Sequence, residues 1–241
     1  MPLFFFTLFT IEIVFSILFL CSGGLMFDLD SKIKQLVNEK GDVLDKGKDE
    51  ISSCIDAAES LTKKMLGCTL VIRNKKFILT NLELYYGGIG DHAHDWYKAN
   101  FLGTKGVNKQ RAEIQKEKGL CLYLNKPGNG NYKRMDIVVG SAGVAISLLV
   151  RNVANEDRKL IGQKDGSPNI ILRKNNMNIL DEDHGQSLAC NSIFSFINTH
   201  QEYMKNSSQI ESRMRYQKGK GYVGLEGPFG KRRWNFNLIL E

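Results

Sequence analysis

Between residues 51 and 66, Ile51, Cys54, Ile55, Ala58, Leu61 and Met65 recur at spacings of three and four. That period predicts an amphipathic helix with these side chains on one face and Glu50, Ser52, Asp56, Glu59, Lys63 and Lys64 turned mostly to water. Asp49 or Glu50 opens this helix, and Gly67 suits the position just past its end. Upstream, Asp30-Ser31 can cap a weaker helical stretch with Ile33, Leu36, Val37 and Leu44 as its stripe, interrupted by Gly41 and Gly47. Beyond Gly67 the period changes to strand-like runs at 69–73 and 76–79.

Further strands are expected at 77–84 (continuing to 86), 110–115, 120–124, 137–139, 143–151, 159–161 and 169–173. Residues 192–205 read as helix, with Ile193, Phe196, Ile197 and His200 on one side. Strands return at 214–217, 222–226 and 234–240; in the last, Trp234, Phe236, Leu238 and Leu240 face one way and Asn235 and Asn237 the other. Gly87-Gly88, Pro127-Gly128-Asn129-Gly130, Gly166-Ser167-Pro168 and Gly227-Pro228 supply turns between them. Many short strands at such spacing predict a mainly β chain folded as a sandwich or barrel.

Residues 3–21 are nearly all apolar, with Glu12 the only charge, and end in Ser22, Gly23 and Gly24. This segment reads as a signal peptide cleaved near Gly23 or Gly24, or as a retained membrane anchor; either places the remainder in a lumen or outside the cell. The expected organisation is a leader at 1–24, a helical region at 25–66 and a β domain at 67–241. Without the leader four cysteines remain, Cys54, Cys68, Cys121 and Cys190, enough for two disulfides in three connectivities. Cys54, on the apolar helix face, reads equally well as a buried thiol. Asn206-Ser207-Ser208 is a glycosylation sequon.

The net charge is +7 and unevenly placed. Residues 98–134 hold nine basic against two acidic side chains, and 205–233 eight against two, whereas 28–66 hold seven against nine. The cationic β body suits an anionic membrane surface or nucleic acid, although any single basic cluster reads first as a solvated surface.

Candidate chemistry is sparse. Asp91-His92-Ala93-His94-Asp95 has metal-like residue types, but nothing fixes a third ligand, and the flanking glycines suggest a surface loop. Gly219, Gly221 and Gly224 spell G-x-G-x-x-G without the strand before and helix after that a dinucleotide site requires. No nucleophile elbow, H-E-x-x-H or triad arrangement appears, so the sequence gives no case for an enzyme and implies no cofactor or metal. Arg213-Met214-Arg215-Tyr216 and Lys231-Arg232-Arg233-Trp234 interleave bases and aromatics as nucleic-acid binders do, but the leader argues against a nucleic-acid partner.

Several short motifs together resemble the actinoporin-like cytolysins. They are the helix-then-strand order, Thr80-Asn81 with Tyr85-Tyr86-Gly87-Gly88 at a strand end, the run KRMDIVVGSAGVAISLL from Lys133 to Leu149, and the C-terminal Gly-Tyr-Val-Gly with Trp-Asn-Phe-Asn-Leu-Ile-Leu. The resemblance covers roughly residues 51–240. It implies a β-sandwich flanked by helices, with an N-terminal amphipathic helix that leaves the body, inserts into a bilayer and lines a pore with helices from other copies. The inserting residues would be Ile51, Ile55, Ala58, Leu61 and Met65. The family's headgroup pocket carries over in part. Its serine at the aromatic-Ser-Gly strand end falls on Gly87, its valine falls on Ala142, and its helical tyrosine cluster leaves Phe194, Phe196 and Tyr203. Trp96, Tyr97, Phe229 and Trp234 are further aromatics for lipid contact, though the alternation around Trp234 suggests core, and surface and core are equally open for Trp96 and Tyr97.

Two functions follow as expectations. The first is a secreted, membrane-binding, pore-forming protein that forms homo-oligomers on a target-cell membrane. The second is a non-lytic lectin-like or lipid-headgroup-binding module, with a glycan as ligand and the helix as a permanent cap.

Overall fold

The computed structural model describes residues 48–72, 75–87, 91–100, 102–104, 121–125, 134–139, 146–161, 187–189, 194–204, 209–217, 221–225 and 229–240. The expected leader, the helical stretch before residue 48, strands at 110–115 and 169–173, the sequon, Ala142 and the side chains of Ile51, Cys54, Cys121 and Cys190 lie outside the described residues.

The molecule is mostly β with few helices. Helix α1 (Lys48–Met65) leads into the hairpin β1 (Thr69–Ile72) and β2 (Lys75–Tyr86). A short α2 (Asp95–Asn100) precedes β3 (Cys121–Asn125), β4 (Arg134–Val138), β5 (Ile146–Ala154), β6 (Leu160–Ile161), β7 (Ser187–Ala189) and β8 (Phe194–Ile197). One helical turn, α3 (His200–Tyr203), is followed by β9 (Ile210–Arg213), β10 (Tyr216–Gln217), β11 (Gly221–Tyr222) and β12 (Asn235–Leu238). Ten strands form a curled antiparallel sheet in the order β7-β3-β4-β5-β2-β1-β8. Strand β12 also pairs with β2 and carries β9, β6 pairs with β5, and β10–β11 stand apart as a two-stranded ribbon. The helix expected at 192–205 is corrected: Phe194–Ile197 pair with β1, and only His200–Tyr203 are helical. Phe194 and Phe196 alternate around Ser195, a period of two that the sheet edge exploits over the helical spacing of Ile193 and Ile197.

Strand β2 organises the body. Its register against β5 shifts between Leu79 and Asn81 and shifts back between Asn81 and Leu82, so both strands are irregular there and the register beyond is unchanged. Before this irregularity Phe77 and Leu79 point into the core; after it Leu82, Leu84 and Tyr86 do. Asn81, Glu83 and Tyr85 therefore share the opposite face. Trp234 and, from β12, Phe236 and Leu238 join the same core, and Ile55, Ala58, Leu61 and Met65 of α1 with the following Leu66 close it from above. The alternation in β12 is as expected, but its asparagines do not simply meet water. Asn235 Nδ2 donates to Glu83 Oε1 at 2.8 Å, and Asn81 Nδ2 donates to Asn237 Oδ1 at 3.1 Å. Glu83 also accepts a hydrogen bond from the Tyr85 hydroxyl at 3.1 Å and pairs with Arg151 Nε at 3.1 Å, so this buried carboxylate is satisfied across three strands.

Candidate functional site

The residues singled out for insertion form the underside of α1. Ile55, Ala58, Leu61 and Met65 are each at most 3% exposed, packed on the sheet, while Ser52, Asp56, Ser60, Lys63 and Lys64 are exposed. Thr62 is buried on the same side without cost, because its hydroxyl donates to the Ala58 carbonyl at 2.7 Å. Burying Ile55, Leu61 and Met65 is worth roughly 1.5–3 kcal/mol each. Only another apolar environment can replace that seat.

Among the described residues, the hydrogen bonds between α1 and the body sit midway along the helix and at its end, where the Cys68 thiol donates to the Lys64 carbonyl at 3.3 Å, and Lys63 Nζ stands 5.6 Å over the Phe236 ring. Midway, Trp234 Nε1 donates to Glu59 Oε1 at 2.8 Å, and Arg232 stands 3.9 Å from the same oxygen. At the end, the carbonyls left unpaired by the helix are taken by the turn around α3. His200 Nδ1 donates to Leu66 O at 2.6 Å, and Thr199 Oγ1 donates to Gly67 O at 2.7 Å. Since Leu66 O can only accept, the imidazole carries its proton on Nδ1. Gly67 has φ +77°, and a Cβ there would lie 3.2 Å from Tyr203 Cβ, so this hinge position requires glycine both for its conformation and for its neighbour. Beside it, burial pushes the Cys68 thiol up to about 12. A shallow groove of about 490 Å³ runs along the outer side of α1, lined by Asp56, Glu59, Lys63, His200, Met204 and Ile210 among others.

The opposite end of β2 is built from charge. Arg215 Nη1 and Nη2 donate to Asp91 Oδ2 and Oδ1 at 2.7 and 2.8 Å, with both side chains only 1% exposed. Asp91 also accepts the N–H groups of Tyr86 and Ala93, and Arg215 reaches the Leu84 carbonyl at 3.1 Å. The guanidinium is sandwiched between Tyr85 and Trp234, 4.6 and 5.2 Å from the ring centroids. Burial alone would raise the Asp91 carboxyl, but the Arg215 charge and hydrogen bonds outweigh it and hold it below its ordinary value. The pair is the interior counterpart of what sequence reasoning separated into a metal-like run and a basic-aromatic run.

That run of aspartates and histidines is not the expected surface loop. Asp91, His92 and His94 are buried: Asp91 holds Arg215, His94 Nδ1 accepts the Trp96 N–H at 3.1 Å to cap α2, and His92 stacks on Tyr97 at 5.7 Å. Among the described residues no three His, Cys, Asp or Glu side chains converge as metal ligands would.

The aromatic and pocket residues do not assemble into one site. Trp96 and Tyr97 are 4% and 0% exposed, which corrects the expectation that they meet lipid first: α2 turns them inward against the end of β2. Gly87 is buried with a prospective Cβ 2.6 Å from His94 Nδ1, so no serine hydroxyl fits there without moving the imidazole. Phe229 is half-buried, stacked on Trp234 at 6.0 Å. Tyr203 lies at the other end, beside Gly67 and under Arg158, whose guanidinium is 5.4 Å from the ring. Gly67 N–H bonds the Leu79 carbonyl, seven residues before Tyr86, which separates Tyr203 from Gly87 by roughly 20 Å of strand. Tyr216, read in the sequence only within a basic and aromatic run, and Tyr222, read only as the start of a strand, are 52% and 50% exposed and face each other across the β10–β11 ribbon. Their signal was present: Tyr-Gln followed five residues later by Gly-Tyr is a short hairpin pairing two aromatics.

No protein-family model matches the chain, and no curated protein matches it.

Proposed function

We propose that the protein is a membrane-binding, pore-forming protein whose β body, a sandwich in the actinoporin-like manner, stays at the bilayer surface while α1 leaves its seat, inserts and assembles with α1 from other copies. The observation that carries this reading is the way α1 is held. Its attachment is one apolar face, the Glu59 clasp, Lys63 over Phe236 and the strapped turn at Gly67, so it can exchange the sheet for lipid without stranding a buried charge. An 18-residue helix is about 27 Å long, near the ~30 Å hydrocarbon core. No helix among the described residues is long and apolar enough to cross a membrane by itself. The exposed face of α1, with Asp56, Lys63 and Lys64, is tolerable across a bilayer only around a water-filled lumen, which is why an oligomer belongs to the proposal.

A second reading draws on the same contacts. The strap from Thr199 and His200 suits a permanent cap, and the body would then be a non-lytic module for a lipid headgroup or a glycan. Dye release from liposomes separates the two. Vesicles of phosphatidylcholine alone, with sphingomyelin and with an anionic lipid are the three arms. Release is expected, and the composition that supports it names the headgroup. A folded protein that releases nothing from any of them overturns pore formation and leaves the cap reading, with a glycan screen as its test.

A further inference from the structure

The β10–β11 ribbon and the turn after Phe229 present an exposed aromatic and cationic surface that none of the site residues considered above includes. Tyr216 and Tyr222 meet edge to face at 5.6 Å between centroids, each about half exposed. Leu225, three residues past Tyr222, is 45% exposed. Gly230 packs directly on Gly224 and Leu225, which brings the exposed Lys231, Arg232 and Arg233 alongside them.

This surface is held firmly from below. Arg151 Nη2 donates to the Tyr216 carbonyl at 2.7 Å, and Val223 N–H bonds the Arg215 carbonyl at 3.2 Å. Arg215 itself is locked by Asp91. The aromatic rings are therefore displayed on a fixed base, and little ordering is left to pay for on contact. Exposed tyrosines gain by placing an apolar ring and a polar hydroxyl at a headgroup boundary. Lysines and arginines near an anionic surface contribute about 1 kcal/mol each.

We infer that this ribbon and turn are a docking surface for an anionic lipid bilayer, with Tyr216, Tyr222 and Leu225 entering the headgroup layer and Lys231, Arg232 and Arg233 meeting the phosphates. The inference rests on the proposal that the protein acts on membranes. Leu225 favours lipid over nucleic acid, because an aliphatic side chain offers no ring face for a base. Arg232 adds a consequence, since the cation that meets lipid phosphate also stands beside Glu59 of α1.

The test is co-sedimentation of the full-length protein with phosphatidylcholine vesicles, with and without phosphatidylserine. The variants are Tyr216→Ser/Tyr222→Ser, Lys231→Gln/Arg233→Gln and, as a charge-matched control, Lys75→Gln/Lys76→Gln at the far end of β2, where both lysines are exposed. Melting temperature and circular dichroism establish that each is folded. Phosphatidylserine-dependent binding is expected to fall roughly 30-fold in Lys231→Gln/Arg233→Gln and at least about tenfold in the tyrosine variant, with the control changing less than about threefold. Equal losses in both lysine- and arginine-depleted variants would mean diffuse charge and overturn the surface. Vesicle binding that none of the variants alters would overturn it too, while leaving membrane action standing. Absence of binding to every vesicle would remove the membrane reading itself. Tighter binding of a single-stranded oligonucleotide, lost in the same variants, would reassign the patch to nucleic acid.

Discussion

The two ends of β2 solve opposite problems. Near Leu79, α1 ends at the Gly67 turn, and from there it lies along the sheet through Met65, Leu61 and Ile55, with a half-buried clasp from Glu59 to Trp234 beside Leu84. Near Tyr86, Asp91 and Arg215 are interlocked inside the protein with backbone groups and two aromatic rings around them. Apolar contacts can be traded for any other apolar medium, so the α1 end can open as a unit. A buried ion pair has no such alternative, because parting it leaves two charges in a dry interior. On the proposed function the molecule combines an α1 face that leaves with a buried pair that stays, and the exposed ribbon is fixed to that pair through Arg215.

Removing one partner of the buried pair is the severest way to break this contrast. Asp91→Asn is expected to cost roughly 3–5 kcal/mol, read as a large fall in the denaturation midpoint, and to expose the ribbon to proteolysis. A loss under about 1 kcal/mol would mean that this end is no more rigid than the other. The same group sets an acid dependence. Its folded pKa is depressed below the ordinary 3.8, so its contribution is complete above that value and disappears as pH falls through the lower folded value. Asp91→Asn should therefore flatten the acid limb of the melting-temperature profile.

Gly67→Ala comes next. A side chain at φ +77° and 3.2 Å from Tyr203 Cβ is expected to cost about 1–2 kcal/mol. If α1 is the separable part, amide exchange should rise over residues 55–66 and stay unchanged in β2. Faster exchange throughout would show one cooperative unit and dissolve the contrast.

Which of these parts could be read from the chain follows from where the deciding interactions lie. The stripe of α1 and the alternation of β12 are local periodicities set by one buried face, and both were legible. The change of face at Thr80 was not, since Leu79 and Leu82 share a face only because β2 and β5 are both irregular between them, which their pairing reveals. Residues 194–197 were misassigned because four residues cannot separate a helical from a strand period without knowing that β1 has a free edge. Asp91 and Arg215 each sat in a highlighted run, but they are 124 residues apart, and nothing local ties a carboxylate in one loop to a guanidinium in another. The inward turn of Trp96 and Tyr97 depends likewise on α2, capped by His94 rather than by a residue type that announces a cap.

The Glu59 clasp should matter less than the hinge. Glu59→Gln keeps an acceptor for Trp234 Nε1 but drops the charge facing Arg232, for an expected loss of about 0.5–1 kcal/mol. The sharper readout is Cys68. Its thiol, raised to about 12 by burial, should resist alkylation in solution near neutral pH and become modified on vesicles if the hinge opens, sooner in Glu59→Gln than in the native chain. Peptide mapping assigns the modified residue. Modification at equal rates with and without vesicles would mean that α1 does not lift from Cys68 on the membrane.

A change confined to exposed side chains of α1 tests the largest functional claim. Lys63 and Lys64 are exposed in the last turn of α1 and Lys63 stands over the Phe236 ring, so Lys63→Glu/Lys64→Glu should cost about 0.5–1 kcal/mol of folding free energy. If α1 lines a lumen, the same two changes reverse charge inside the conducting path, and the reversal potential in a planar bilayer under a salt gradient should shift toward cation selectivity. Conductance with an unchanged reversal potential would place these lysines outside the pore wall. The helix would then act in the membrane by lying on it or not at all, and the separable end of the molecule would need a different purpose from the one its amphipathic face suggests.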